Sequence, residues 1–153
     1  MRLRLLAVGR DRSGLYAPAV GEYASRLART VRFELAEVPE ARKLAGTPRA
    51  REEEGATLLA RIPAREHVVA LDEHGEERTS VAFADRVRRW LERGRDVTLV
   101  IGGADGLASE VLARADEKLA LSRLTLPHRL ARLVLVEQLY RAMTILRGEP
   151  YHR

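Results

Sequence analysis

Hydrophobic and polar positions along this chain change period several times, and the changes mark out its elements. Arg2–Val8 alternates, then runs apolar, and stops at Gly9, which predicts a strand leading into a loop. Over residues 16–29 the apolar positions fall at helical spacing, with Val20, Tyr23 and Leu27 on one face. Residues 31–38 alternate again, with Val31, Phe33 and Leu35 on one side and charges opposite, and Pro39 closes that strand. Residues 40–51 are polar and contain Gly46 and Pro48, the composition of a mobile loop, and a helix is expected over 50–61.

The second half carries stronger signals. A strand is expected over 67–71, a charged turn over 72–78, and a helix over Ser80–Arg93 with Ser80 as its N-cap. Residues 96–101 are almost wholly apolar after the first, as in a strand buried on both faces. The Gly102-Gly103-Ala-Asp-Gly106 loop follows, then a short helix over 108–114 and a last strand over 118–121. Pro127 opens a helix over 128–147, with Thr125 or Leu126 at the capping position. That helix is apolar on nearly every side, so it is either the central helix of the domain or also packed on a second subunit. Strand–helix alternation of this kind predicts an α/β fold, a mostly parallel sheet with helices on both faces, built as a single domain over 1–153.

Composition narrows the setting. No apolar run approaches the roughly 20 residues of a membrane span, so no membrane partner is expected. The N-terminus turns polar too soon for a secretory signal. The chain has no Cys, which excludes disulfides and thiolate metal sites, and a cytoplasmic location is the natural expectation. The four histidines are too dispersed for a zinc signature, so no metal is expected. A net charge of +5, nearly all of it from Arg, leans toward an anionic partner, nucleic acid first.

Gly102 and Gly103 follow a buried strand at the point where open α/β sheets bind ligands, although a tight strand-to-helix turn has the same appearance. The chain has no Gly-Lys-Ser/Thr, and this loop lacks the full Gly-x-Gly-x-x-Gly. Nucleotide-hydrolase and nicotinamide-oxidoreductase readings fall with them. On the last helix Glu137 and Arg141 stand four apart and can pair, whereas Arg132 has no obvious partner and could hold a phosphate. The chain ends in Tyr151-His-Arg153, an aromatic face with donors beside it, suited to a splayed base and its phosphate.

Taken in order, Leu99-Val-Ile-Gly-Gly-Ala-Asp-Gly-Leu107, Leu121-Ser-Arg-Leu-Thr-Leu-Pro-His128, the apolar helix and Glu149-Pro-Tyr-His-Arg153 resemble the RlmH-type SPOUT methyltransferases. The resemblance runs from the first strand to the last residue. It implies transfer of a methyl group from S-adenosylmethionine to N3 of a pseudouridine of 23S rRNA in assembled ribosomes. It also implies a SPOUT-type C-terminal trefoil knot and a homodimer with the knot region at its interface. The positions it assigns to the cofactor are Leu71, Gly102, Leu121, Ser122, Arg123, Leu124, Thr125 and Leu126. Tyr151, His152 and Arg153 fall on the substrate side, as Arg132 would if it holds a phosphate. For the proton on N3, His is the natural general base at neutral pH. His152 is favoured for that role, and His128 for a structural or positioning one. Two other readings share parts of this pattern: a ribosomal-RNA-binding factor without chemistry, and a SPOUT enzyme acting on tRNA.

Overall fold

Five strands, Arg2–Val8 (β1), Arg32–Val38 (β2), His67–Glu77 (β3), Val97–Ile101 (β4) and Glu117–Ala120 (β5), pair in parallel in the order β2-β1-β4-β3-β5. The structure is a computed structural model describing residues 1–153. The helices are Ala17–Ala28 (α1), Pro48–Ala60 (α2), Ser80–Arg93 (α3), Ser109–Arg114 (α4) and His128–Leu146 (α5), with a 3-10 turn at Arg42–Leu44.

Side chains alternate across a strand, so the central strands feed two cores. Leu3, Leu5 and Ala7 of β1, with Val97, Leu99 and Ile101 of β4, meet α1, α3 and α5 on one face. Leu6 and Val8 of β1, with Val100 of β4, meet α2 and α4 on the other. This is the expected α/β architecture with helices on both faces. α5 lies between α1 and α3, and none of its residues is fully exposed. It is the central helix of its layer, and Leu130, Leu133, Val134, Ile145 and Leu146 on it stay only partly buried within one chain.

Five local expectations need correction. Residues 72–78 are not a simple turn. β3 bulges after Leu71 and rejoins β5 through Glu76 and Glu77. A side chain at Gly75 would stand 2.8 Å from the Leu119 backbone, so the bulge requires glycine there. The loop expected over 40–51 is largely ordered by the 3-10 turn and by α2, which starts at Pro48, where a missing N–H costs nothing. Thr79, not Ser80, caps α3 by accepting from Ala82 N–H at 3.1 Å, because Ser80 Oγ instead donates to Gln138 at 2.8 Å. Pro127 is itself the N-cap residue of α5, and its carbonyl accepts from Ala131 N–H. Leu35 is 37% exposed, since β2 is an edge strand that α1 covers only around Val31 and Phe33.

Candidate functional site at the carboxyl ends of the strands

The connections leaving β1 and β3 climb onto the face of α1 and α3, while the one leaving β4 descends to α4 on the opposite face. β4 lies between β1 and β3, so the backbone parts on both sides of Gly102, the arrangement in which α/β sheets open a ligand crevice. On the β3 side, register pairs Ala70 with Val100 and Leu71 with Leu119. Leu71 thus stands at the β3 bulge, one residue past the last pairing with β4, while Gly102 follows the end of β4 and Leu121 the end of β5, two residues beyond Leu119; the three lie on neighbouring strands about 4.8 Å apart. The glycine loop itself is tight. A Cβ on Gly102 would stand 2.5 Å from the Gly106 carbonyl group, and Gly103 bridges to Gly106.

The Leu121–Leu126 stretch leaves most of its backbone unpaired. No backbone ladder includes residues 122–126, and the Leu124 N–H bonds only to Ser122 Oγ at 2.9 Å. Leu124 is 76% exposed. An open cleft of about 650 Å³ lies on one side, lined by Glu73, His74, Gly75, Glu77, Arg123 and Thr125. A smaller pocket of about 220 Å³ reaches Leu119, Leu121, Phe83 and Val134. Thr125 Oγ1 donates to Glu73 at 2.7 Å and Arg123 Nε to Glu77 at 2.5 Å, so the β3 bulge is tied to this stretch. The charged residues at 73–77, read from sequence as a turn of uncertain shape, form that wall.

On the β1 side of Gly102 lies a polar cluster that the sequence pattern does not reveal. Arg132, read from sequence as a residue that could hold a phosphate, is buried with both terminal nitrogens bonded within the chain: Nη1 donates to Glu37 at 2.7 Å, and Nη2 to the carbonyls of Val8 and Gly9 at 3.2 and 3.0 Å, while Nε is buried without a partner. It ties α5 to the ends of β1 and β2, and the partner that the sequence lacked lies 95 residues away. His128 is half-buried beside it with Nε2 unpartnered. Burial, then Arg129 and Arg132, push the imidazole below its ordinary pKa against the pull of Glu40 and Asp11. Burial likewise pushes Glu54 up, with Glu40 and Asp105 adding to it, although Ala41 N–H donates to this carboxylate. His67 stays apart from both crevices, bonded to Glu117 at 2.7 Å, whereas His74 is exposed on the bulge and lines the open cleft.

The tail is docked rather than frayed. The Tyr151 ring meets Tyr140 edge-on at 4.9 Å and lies under the Arg141 guanidinium at 4.8 Å. Its hydroxyl donates to Glu137 at 2.9 Å, and burial together with its Tyr23 and Glu137 neighbours raises the phenol's pKa. Glu137 and Arg141 pair at 2.6 Å as their spacing predicts, and Arg141 Nη1 lies 3.2 Å from His152 Nδ1. Arg153 is exposed. α5 rises about 27 Å between its two ends at 1.5 Å per residue. The tail folds back along the helix only as far as Glu137, nine residues or about 13 Å of rise from His128, so one chain leaves Tyr151 and His152 short of the Leu121–Leu126 stretch.

Comparison with known proteins agrees with this architecture. A family model described as Predicted SPOUT methyltransferase matches residues 1–152. The ribosomal RNA large subunit methyltransferase H of Anaeromyxobacter sp. (strain K) is 78% identical over 153 residues, covering 100% of both chains. The protein of that name in Methylobacillus flagellatus is 42% identical, covering 100% of this chain and 99% of its own. Among solved structures, one bearing on 2-OH methylation of C/U34 on tRNA superimposes with a TM-score of 0.53 at 20% identity, covering 97% of this chain and 98% of that one. A probable methylase family protein from Haemophilus influenzae gives 0.55 at 13%, covering 99% of this chain and 70% of its own. At such identities the structural likeness speaks for the fold alone. No helix of the chain is long and apolar enough to cross a membrane.

Proposed function

The chain belongs to the RlmH group of the SPOUT methyltransferases, and from that premise we propose that it methylates N3 of a pseudouridine in 23S rRNA, acting as a homodimer on assembled ribosomes. The observation that carries this reading is the grouping of Leu71, at the β3 bulge, with Gly102 and Leu121, just past the ends of the two neighbouring strands, beside a stretch whose backbone is unpaired. S-adenosylmethionine, when bound, supplies a methyl group on a cationic sulfonium. The residues present suit it. Leu71, Leu121, Leu124 and Leu126 offer an apolar slot for adenine, and the peptides of 122–126 offer donors and acceptors for its edge. With Glu77 paired to Arg123, Glu73 leaves the adjoining cleft net negative, the sign that suits a cationic ligand. Ser122, Arg123 and Thr125 hold the loop in shape through Leu124 N–H, Glu77 and Glu73. The C-terminal trefoil knot of SPOUT enzymes belongs to the same proposal.

The docked tail stops at the level of Glu137, short of the cofactor stretch at the start of α5, which supports a dimer in which one copy's tail meets the other's cofactor stretch. Tyr151 and Arg153 of that tail would hold the target base and its phosphate, and His152 would take the N3 proton. His128, with Nε2 buried, positions the start of α5 behind the cofactor stretch. Arg132 braces the same region and does not contact RNA.

The test is transfer of tritium from labelled S-adenosylmethionine to ribosomes from a strain lacking this enzyme, with free rRNA and tRNA in parallel. Label at N3 of a large-subunit pseudouridine, on assembled ribosomes alone, is the expected result. Label on tRNA would overturn the substrate assignment, and cofactor binding without label on any RNA would overturn the activity. His152→Ala should abolish turnover while cofactor affinity holds; wild-type turnover would remove His152 from catalysis. Size measurement in dilute solution should give a dimer, and a clean monomer would refute the completed site.

A further inference from the structure

The loops that follow β1 and β2 are pinned side by side. Their strands stay in register to the pair Val8 and Val38, and Gly9 N–H donates to the Val38 carbonyl at 2.7 Å. Asp11 N–H donates to Glu37 at 3.0 Å and Ala41 N–H to Glu54 at 3.1 Å. Within these loops the charges are sorted by direction. The carboxylates turn inward: Asp11 accepts from Ser13, Glu37 from Arg132, and Glu40 lies against Gly9, 3.8 Å from Arg129. The cations turn outward. Arg10, Arg12, Arg42 and Lys43 are all exposed and none forms an ion pair. Of the nearby exposed acids, Glu52 and Glu53 are matched in number by the exposed Arg49 and Arg51, and Asp105 of the glycine loop offsets one of the four cations.

We propose that Arg10, Arg12, Arg42 and Lys43 grip the phosphate backbone of the RNA next to the methylated nucleotide. They stand at the carboxyl pole of the sheet, the pole that also carries Gly102 and Leu121–Leu126. Backbone phosphates are recognised by unpaired cations that release counterions on contact, and such contacts set register without reading sequence. The inference rests on the RNA-methyltransferase reading above and adds which surface holds the substrate. The amino pole provides an internal control. Arg32, Arg61, Arg65 and Arg93 there are equally exposed and unpaired, about 23 Å away along a seven-residue strand, well beyond a Debye length of about 8 Å.

Two fourfold variants of equal charge loss decide it. One carries Arg10→Gln, Arg12→Gln, Arg42→Gln and Lys43→Gln; the other carries Arg32→Gln, Arg61→Gln, Arg65→Gln and Arg93→Gln. Sedimentation with large ribosomal subunits, from 50 to 200 mM salt, measures binding independently of turnover. Four phosphate contacts give a salt slope of about −3, so over that range wild-type affinity should fall about 60-fold more than that of the carboxyl-pole variant. The KM for ribosomes should rise in that variant while kcat at saturation and cofactor affinity hold. An unchanged salt slope in a folded carboxyl-pole variant, or an equal or larger loss in the amino-pole one, would overturn the proposal. Wild-type binding without methylation would instead refute the activity and leave the surface standing.

Discussion

Arg132→Met separates a strut from a ligand. The wild-type guanidinium is 2% exposed and donates to Glu37 and to the carbonyls of Val8 and Gly9, joining α5 to the ends of β1 and β2. Methionine fills similar volume but donates nothing. Removing one partner of a buried pair costs 3–5 kcal/mol, and because the Glu37 side chain is 30% exposed and regains water, the lower end applies, about 3 kcal/mol. For a chain of this length that lowers Tm by about 6–12 °C. Urea unfolding of the wild type, Arg132→Met, Glu37→Gln and the double variant gives the coupling directly. An interaction energy of about 1–3 kcal/mol is expected, with m unchanged. A loss below about 1 kcal/mol in Arg132→Met, together with weakened ribosome binding, would refute the bracing role and return Arg132 to the phosphate.

Other outcomes follow from the same geometry. Burial pushes the Glu117 carboxylate up, but bonds from Arg86, Trp90 and His67 outweigh it and hold the group at about 2, against 4.5 ordinarily. A depressed carboxylate stabilises fully above pH 4.5 and loses that contribution as pH falls toward 2, here about 3 kcal/mol. Glu117→Gln should forfeit it at pH 7 and flatten acid unfolding across that window; an unchanged acid limb would contradict the network. His128, pushed down mainly by burial, should titrate below 6.5 by NMR. Folding stability should then fall as pH drops below 6.5, where the unfolded imidazole takes its proton first, and His128→Gln should remove that fall. Gly102→Ala places a methyl 2.5 Å from Gly106 and should weaken S-adenosylmethionine binding at least about tenfold by calorimetry. Full affinity would remove the glycine loop from the pocket.

Periodicity made most of the architecture legible, because burial on a strand or helix is written locally. β4 and the two-sided β1 could be read from their apolar runs, and the parallel sheet from strand–helix alternation. Signals that depend on one neighbour misled: Ser80 was the plausible cap, yet its hydroxyl is drawn to Gln138 on a distant helix, leaving Thr79 to cap α3. The charged stretch at 72–78 resembled a turn because nothing local reveals that Glu76 and Glu77 rejoin β5.

For the candidate site, motif order pointed to Leu71, Gly102 and the Leu121–Leu126 stretch, and strand order puts the segments that carry them on three neighbouring strands, Leu71 at the β3 bulge. Which charges are free was decided only in three dimensions. Arg132 had no partner within reach along the chain and acquired Glu37 from 95 residues away; Arg10 and Arg42 kept none. The sequence determined which segments bury their faces, since a side chain's period is a property of its own backbone. Only the tertiary structure decided which polar groups meet, since pairing depends on strand order and helix placement that no local pattern encodes.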